Sequence, residues 1–291
     1  MRSSDSPRSS GLLALLVTSI GGLVVTFVVF VRTEDGQRID QGAFEGRGLA
    51  SPGAQEAADE LLTTISVGAL ALAVVLLAGQ ALYRRRLILA LVAAIVIGGS
   101  VVTTEILKHV LLQRPDLIGR APFANTFPSG HATVALAVGV AATLVVPPRA
   151  RRLTALIAVL YAIAVGVALV AAGWHRPSDV AGGFFVVVAW ASAVALAAEA
   201  LDRDAFRLKY EDWRGDTGAL GYLLLGAGIL VAGYLVAVAV ALAAEAGAID
   251  WGLVNAAFAA ACAALAALAA LLMAALLAAL RASLAPAHGA Q

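Results

Sequence analysis

The chain has 291 residues, 61% of them hydrophobic and only 13% charged, with a formal net charge of +1. A water-soluble domain of ordinary make-up carries about a quarter charged residues, so this composition excludes one. The near-neutral balance leaves no electrostatic footprint for nucleic acid, and the single cysteine, Cys262, excludes an internal disulfide.

A hydrocarbon core of about 30 Å is crossed by about 20 apolar residues in helix, so uncharged runs of that length are predicted spans. Residues 1–10 form a Ser-rich tail with Arg2 and Arg8. The run 11–31 is a first span, retained because no small-residue cleavage pattern follows Val31. Residues 32–60 carry ten charges with Gly and Pro and predict a solvated loop. Leu61–Leu82 follows, stopped by Arg84, Arg85 and Arg86. Leu87–Leu112 comes next, with Glu105, Lys108 and His109 in its last third. His131–Val146 is a short fourth span ended by Pro147 and Pro148, and Leu153–Ala172 and Val180–Ala198 are the fifth and sixth. After a charged stretch at 199–217, Gly218–Ala244 and Gly252–Leu280 complete a set of eight. Only helices satisfy their own backbone in lipid over such runs. The predicted fold is therefore all-α, a polytopic transmembrane helical bundle. Its parts are a tail (1–10), a first span and extracytoplasmic loop (11–60), a core (61–200), and a cytoplasmic loop with two extra spans (201–291).

Basic residues orient the bundle, since Lys and Arg favour cytoplasmic loops. With both termini cytoplasmic, thirteen of the twenty Lys and Arg lie on the inner side and seven on the outer. The loops 113–130 and 173–179 then emerge together on the outer side, as two intervening spans require. This parity matters because the polar motifs sit in those two loops.

The first motif is Lys108-His109-Val110-Leu111-Leu112-Gln113-Arg114-Pro115, the second Pro128-Ser129-Gly130-His131, and the third His175-Arg176-Pro177-Ser178-Asp179. A helix start with free N–H groups, a capping hydroxyl at Ser129, close backbone at Gly130 and an imidazole at His131 is suited to an anion. Lys108 and Arg114 near a span end either snorkel to headgroups or clamp phosphate oxygens, with Glu105 one turn from Lys108 as a partner. Pro177 fits a first helical turn, which puts Asp179 four residues from His175 and within reach of its ring. A carboxylate that fixes an imidazole tautomer is the orienting half of a catalytic triad. Two imidazoles and a set of cations around one anion suit phosphoryl transfer. The glycines at 226, 228 and 233 and the Ala-rich last span read as helix-packing surfaces.

In this order the three motifs resemble the signature of the type 2 phosphatidic acid phosphatase (lipid phosphate phosphatase) family, which shares its site with vanadium haloperoxidases. The resemblance covers about residues 61–200 and implies a six-helix phosphatase core, here with two C-terminal helices added. It implies His175 as nucleophile through a phosphohistidine, Asp179 as its orienting partner and His131 as the acid for the leaving oxygen. Lys108, Arg114, Ser129 and Gly130 would hold the phosphoryl group, with no metal and no cofactor. Two departures stand out. Five residues rather than six separate Lys108 from Arg114, which works only if the helix ends before Arg114; Pro115 favours that. The Ser-Arg pair expected before the third motif is Ala168-Leu169, so one phosphate ligand is missing; Arg176, or else Arg120, is the candidate replacement. The implied partners are membrane lipids and, as substrate, a lipid phosphate or isoprenyl pyrophosphate on the extracytoplasmic side of the cell membrane. A lipid phosphotransferase, or a binding or transport protein that kept only the anion pocket, remain the rival readings.

Overall fold

The computed structural model describes residues 10–65, 67–83, 87–119, 124–201 and 253–284, together with the single helical positions 221, 226, 228 and 233. Every regular element among them is a helix. In chain order these are α1 (Ser10–Thr26, continued by a π turn at Phe27–Val31), α2 (Glu34–Glu45), a 3₁₀ turn (Gly46–Leu49), α3 (Pro52–Thr63), α4 (Val67–Tyr83), α5 (Leu87–Ile106, continued by a π turn at Leu107–Leu111), α6 (Gly130–Val145), α7 (Pro148–Ala171), α8 (Pro177–Leu201) and α9 (Leu253–Leu284). The predicted seventh span falls almost wholly outside the described residues.

Five of these helices are long and apolar enough to cross a membrane: Ser10–Val31, Ile88–Leu111, Arg149–Ala171, Pro177–Leu201 and Val254–Ser283. The chain is a multi-pass membrane protein. Local chemistry sets the helix starts. Pro148 and Pro177 stand at first helical positions, where the missing N–H costs nothing. Ser129 caps α6 by accepting from the Ala132 N–H at 3.4 Å.

Two predicted boundaries are corrected. The second span does not begin at Leu61: α3 ends at Thr63 and α4 starts afresh at Val67. Nor is the stretch 32–60 simply a solvated loop. It folds into α2, the 3₁₀ turn and α3, and buries Gln37, Asp40 and Gln41 against the rest of the protein. Hydropathy missed this because the docking face is polar and its partners lie far along the chain.

The core is shared by α1, α3, α5, α6, α7, α8 and α9. Gly182 and Gly183 let the segment before α6 lie directly on α8. A Cβ at Gly182 would stand 2.6 Å from the Phe127 ring, and one at Gly183 would stand 2.8 Å from the Ser129 carbonyl. Two further bonds knit the layer, Thr104 Oγ1 to Thr133 Oγ1 at 3.0 Å and Trp190 Nε1 to Thr103 Oγ1 at 2.9 Å. With sixteen residues α6 rises only about 24 Å. Its start at Gly130 meets Glu105 and Lys108, before α5 has ended. The end of the bundle that holds the motifs is thus recessed at α6.

Candidate active site

The site is built from the three loop segments at this recess. α5 loosens into its π turn at Leu107–Leu111, closed by Leu112 N–H on the Leu107 carbonyl at 2.8 Å, and the chain then runs extended at Leu112. The helix ends before Arg114, so the short Lys108–Arg114 spacing carries no helical phase to violate. Asn125 ties the next segment to this open helix end. Its Nδ2 donates to the carbonyls of Lys108 and Leu112, both at 2.9 Å. Such bonds satisfy carbonyls that a helix terminus leaves free.

The Ser129 N–H donates to the Asp179 carbonyl at 2.8 Å, joining the second motif to the third. The rings of His131 and His175 lie 6.3 Å apart between centroids, and Trp174 packs edge-on to His131 at 5.3 Å. Lys108 Nζ lies 3.5 Å from Glu105, whose other oxygen is 3.2 Å from His109 Nε2. A Cβ on Gly130 would stand 3.2 Å from Glu105 Oε1 and, in ordinary contact, 3.5 Å from Lys108 Nζ, so both side chains end against the start of α6.

Asp179 is fully buried and gathers four donors. Arg114 Nη2 reaches Oδ1 at 2.8 Å. Thr126 Oγ1 at 2.6 Å, the Arg176 N–H at 3.0 Å and His175 Nδ1 at 3.4 Å all converge on Oδ2. With Nδ1 turned to a carboxylate, Nε2 of His175 is left as the nitrogen for chemistry. The same loop is fixed from behind, because the N–H groups of Trp174 and His175 both donate to the Leu169 carbonyl, at 3.0 and 3.1 Å. The Leu169 side chain itself is sealed in the apolar core.

The predicted residues therefore come together, but two cations are placed differently from a simple phosphate clamp. Arg114 is a partner of Asp179, with its side chain 3% exposed; its Nε is buried and makes no hydrogen bond among the described residues. Arg176 points at α2: Nε and Nη2 both donate to Gln41 Oε1, at 3.1 and 2.9 Å, and its guanidinium lies over the Phe44 ring. Burial and the neighbouring Arg114 lower the Arg176 pKa. Arg120 lies outside the described residues. Among the described residues no group of three or more His, Cys, Asp or Glu is placed to hold a metal ion.

Sequence reasoning missed Asn125 and Thr126 as anchors, although both adjoin the second motif. It also missed Asp40, Gln41 and Arg47. Asp40 accepts from the Ser178 N–H at 3.0 Å and from its hydroxyl at 2.6 Å. Arg47 lies against Gly173, where φ is +77° and a Cβ would meet its Nε at 2.9 Å. The only local signal was the spacing of Gln37, Asp40, Gln41 and Phe44 on one helical face.

Residues 87–203 match the model of the PAP2 superfamily. No curated protein sequence matches the chain. Among solved structures, the chain resembles the first transmembrane PAP2-type phosphatidylglycerolphosphate phosphatase from Bacillus subtilis, with a TM-score of 0.53 at 22% identity. The likeness spans 66% of this chain and 98% of that one. The matched segment contains all three motifs, so the stretch that carries the candidate site is the part of the chain similar to the PAP2 superfamily.

Proposed function

We propose that the protein is an integral-membrane lipid-phosphate phosphatase working at the extracytoplasmic face, on a phosphomonoester or pyrophosphate carried by a lipid. The observation that carries this reading is the pairing of two imidazoles 6.3 Å apart, with His175 backed by a buried Asp179. In the proposed cycle, His175 Nε2 attacks phosphorus and the bond to the leaving oxygen breaks. His131 gives that oxygen its proton. Water then attacks the phosphohistidine, His131 takes the proton back, and inorganic phosphate leaves.

Lys108, the Gly130 N–H at the start of α6 and the unbonded Nε of Arg114 would face the phosphoryl oxygens. Stabilising the charge on those oxygens is most of the catalysis in such a transfer. Arg114 would then serve two partners, Asp179 on one edge and phosphate on another, which suits its fork of five donors. Arg176 adds positive charge beside His175 in place of the missing arginine. The similar Bacillus subtilis protein is a phosphatidylglycerolphosphate phosphatase; phosphatidic acid and isoprenyl pyrophosphates fit the same chemistry.

The test is phosphate release from these lipids by the purified protein, with chelator present. His131→Ala should slow lipid phosphates far more than activated aryl phosphates, as expected of a general acid. Equal loss on both substrates would remove His131 from that role. If no lipid phosphate is hydrolysed while binding persists, the non-catalytic reading stands instead.

A further inference from the structure

The segment between α1 and α3 lies outside the matched residues 87–203, and the mechanism above uses none of it. Yet one face of α2 holds both polar loops of the site. Gln37 Nε2 donates to the Pro115 carbonyl at 2.7 Å, and Gln37 Oε1 accepts from the Leu117 N–H at 3.3 Å. Three residues on, Asp40 caps the first turn of α8 through both donors of Ser178. The next residue, Gln41, takes two nitrogens of Arg176. Gln37, Asp40 and Gln41 are all buried, and they bond to residues 78 to 138 positions away.

Asp40 also reaches the reacting groups through one intermediary. Arg114 lies between two carboxylates, 2.8 Å from Asp179 Oδ1 and 3.7 Å from Asp40 Oδ2, and the side chains of Asp40 and Arg114 are 2% and 3% exposed. The order Asp40, Arg114, Asp179, His175 is thus continuous. A buried guanidinium shared by two carboxylates keeps its orientation because either loss leaves charge uncompensated. A carboxylate at a helix N-terminus adds a favourable dipole interaction.

We propose that Asp40 and Gln41 of α2 are positioning residues for the reaction, fixing the loop that carries His175 and the Arg114–Asp179 pair. The segment between the first two spans is then a working part of the active site. As a role in catalysis this rests on the phosphatase reading; as a constraint on the loop it does not.

The experiment uses the full-length protein in detergent, with phosphatidic acid in mixed micelles as substrate. Asp40→Ala should lower kcat per folded molecule by about 10–100-fold with KM nearly unchanged, the scale for losing an outer partner of a catalytic group. Asp40→Asn keeps an acceptor for the Ser178 N–H and should recover part of the loss. Gln41→Ala should fall between, and Asp35→Asn, on the exposed side of α2, should match wild type. Hydrogen exchange gives a readout independent of turnover: amides of Trp174–Val180 should exchange faster in Asp40→Ala. Unchanged exchange together with an unchanged kcat overturns the proposal. If the wild type releases no phosphate from any lipid, the phosphatase reading fails by itself. The exchange result then still decides whether α2 constrains the loop: faster exchange supports it and unchanged exchange overturns it.

Discussion

Replacing Gly183 with alanine puts a methyl group into the contact that joins the two histidine loops. Its Cβ would lie 2.8 Å from the Ser129 carbonyl oxygen, 3.0 Å from Thr133 Oγ1 and 3.1 Å from Thr133 N. Ordinary contact begins at 3.4 Å, so the start of α6 must retreat by about 0.6 Å. Overpacking of this kind costs about 1–3 kcal/mol, set against a helix-propensity gain of about 1 kcal/mol for Gly→Ala. Gly98 on α5 has nothing within 4 Å of its Cβ position, so Gly98→Ala keeps the gain without the clash. The difference in stability between the two variants should therefore be about 1–3 kcal/mol. Since a 1 Å misplacement costs about 100-fold in rate, 0.6 Å should cost about tenfold. Thermal unfolding in detergent and phosphate release measure the two effects. A Gly183→Ala protein as stable as Gly98→Ala and fully active would refute the reasoning.

Asp179→Asn should lower the rate by about 10⁴-fold through loss of the oriented tautomer. It should also destabilise by about 3–5 kcal/mol, because Arg114 is left buried with half its compensation; a fully stable variant would contradict the ion-pair geometry. Leu169→Arg should not restore the missing ligand: the position is sealed in the apolar core, and the variant should melt well below wild type. Arg176→Lys should retain more activity than Arg176→Ala if its charge beside His175 is what matters, and equal loss would assign Arg176 to docking alone. The last of these predictions concerns pH. Burial, then the Asp179 charge, push the Asp40 carboxyl up to about 6 from its usual 3.8, against Arg114 and the Ser178 bonds. Arg176 is the other charge facing it. A pKa raised in the folded state means stability is full below about pH 4 and falls as pH rises through 6, by about 3 kcal/mol in all. Asp40→Asn should flatten that slope between pH 4 and 6 in thermal melts, and an unchanged slope would remove Asp40 as its source.

The spans and the three motifs were legible because their signals are local. Apolar runs such as Leu87–Leu112 and Val180–Ala198 announce helices by length alone. Ser129 before an apolar run, and Pro177 two residues after His175, fix helix starts from immediate neighbours. What stayed hidden depends on contacts across the chain. That Arg114 would pair with Asp179 follows from the extended chain at Leu112 and from Thr126 and Ser129 docking on α8. The role of α2 was invisible for a related reason: Gln37, Asp40 and Gln41 read as surface residues until their partners at Pro115, Arg176 and Ser178 are brought against them. Hydropathy scores polar-to-polar burial as exposure.

The central claim is that His175 carries the phosphoryl group, and rapid quench into alkaline detergent, with lipid labelled in its phosphate, tests it most directly. The account predicts an acid-labile, base-stable phosphoenzyme in the wild type that turns over to inorganic phosphate. It predicts neither the adduct nor phosphate release in His175→Asn. Undiminished phosphate release from His175→Asn, or a wild-type adduct that maps to any other residue, would contradict it.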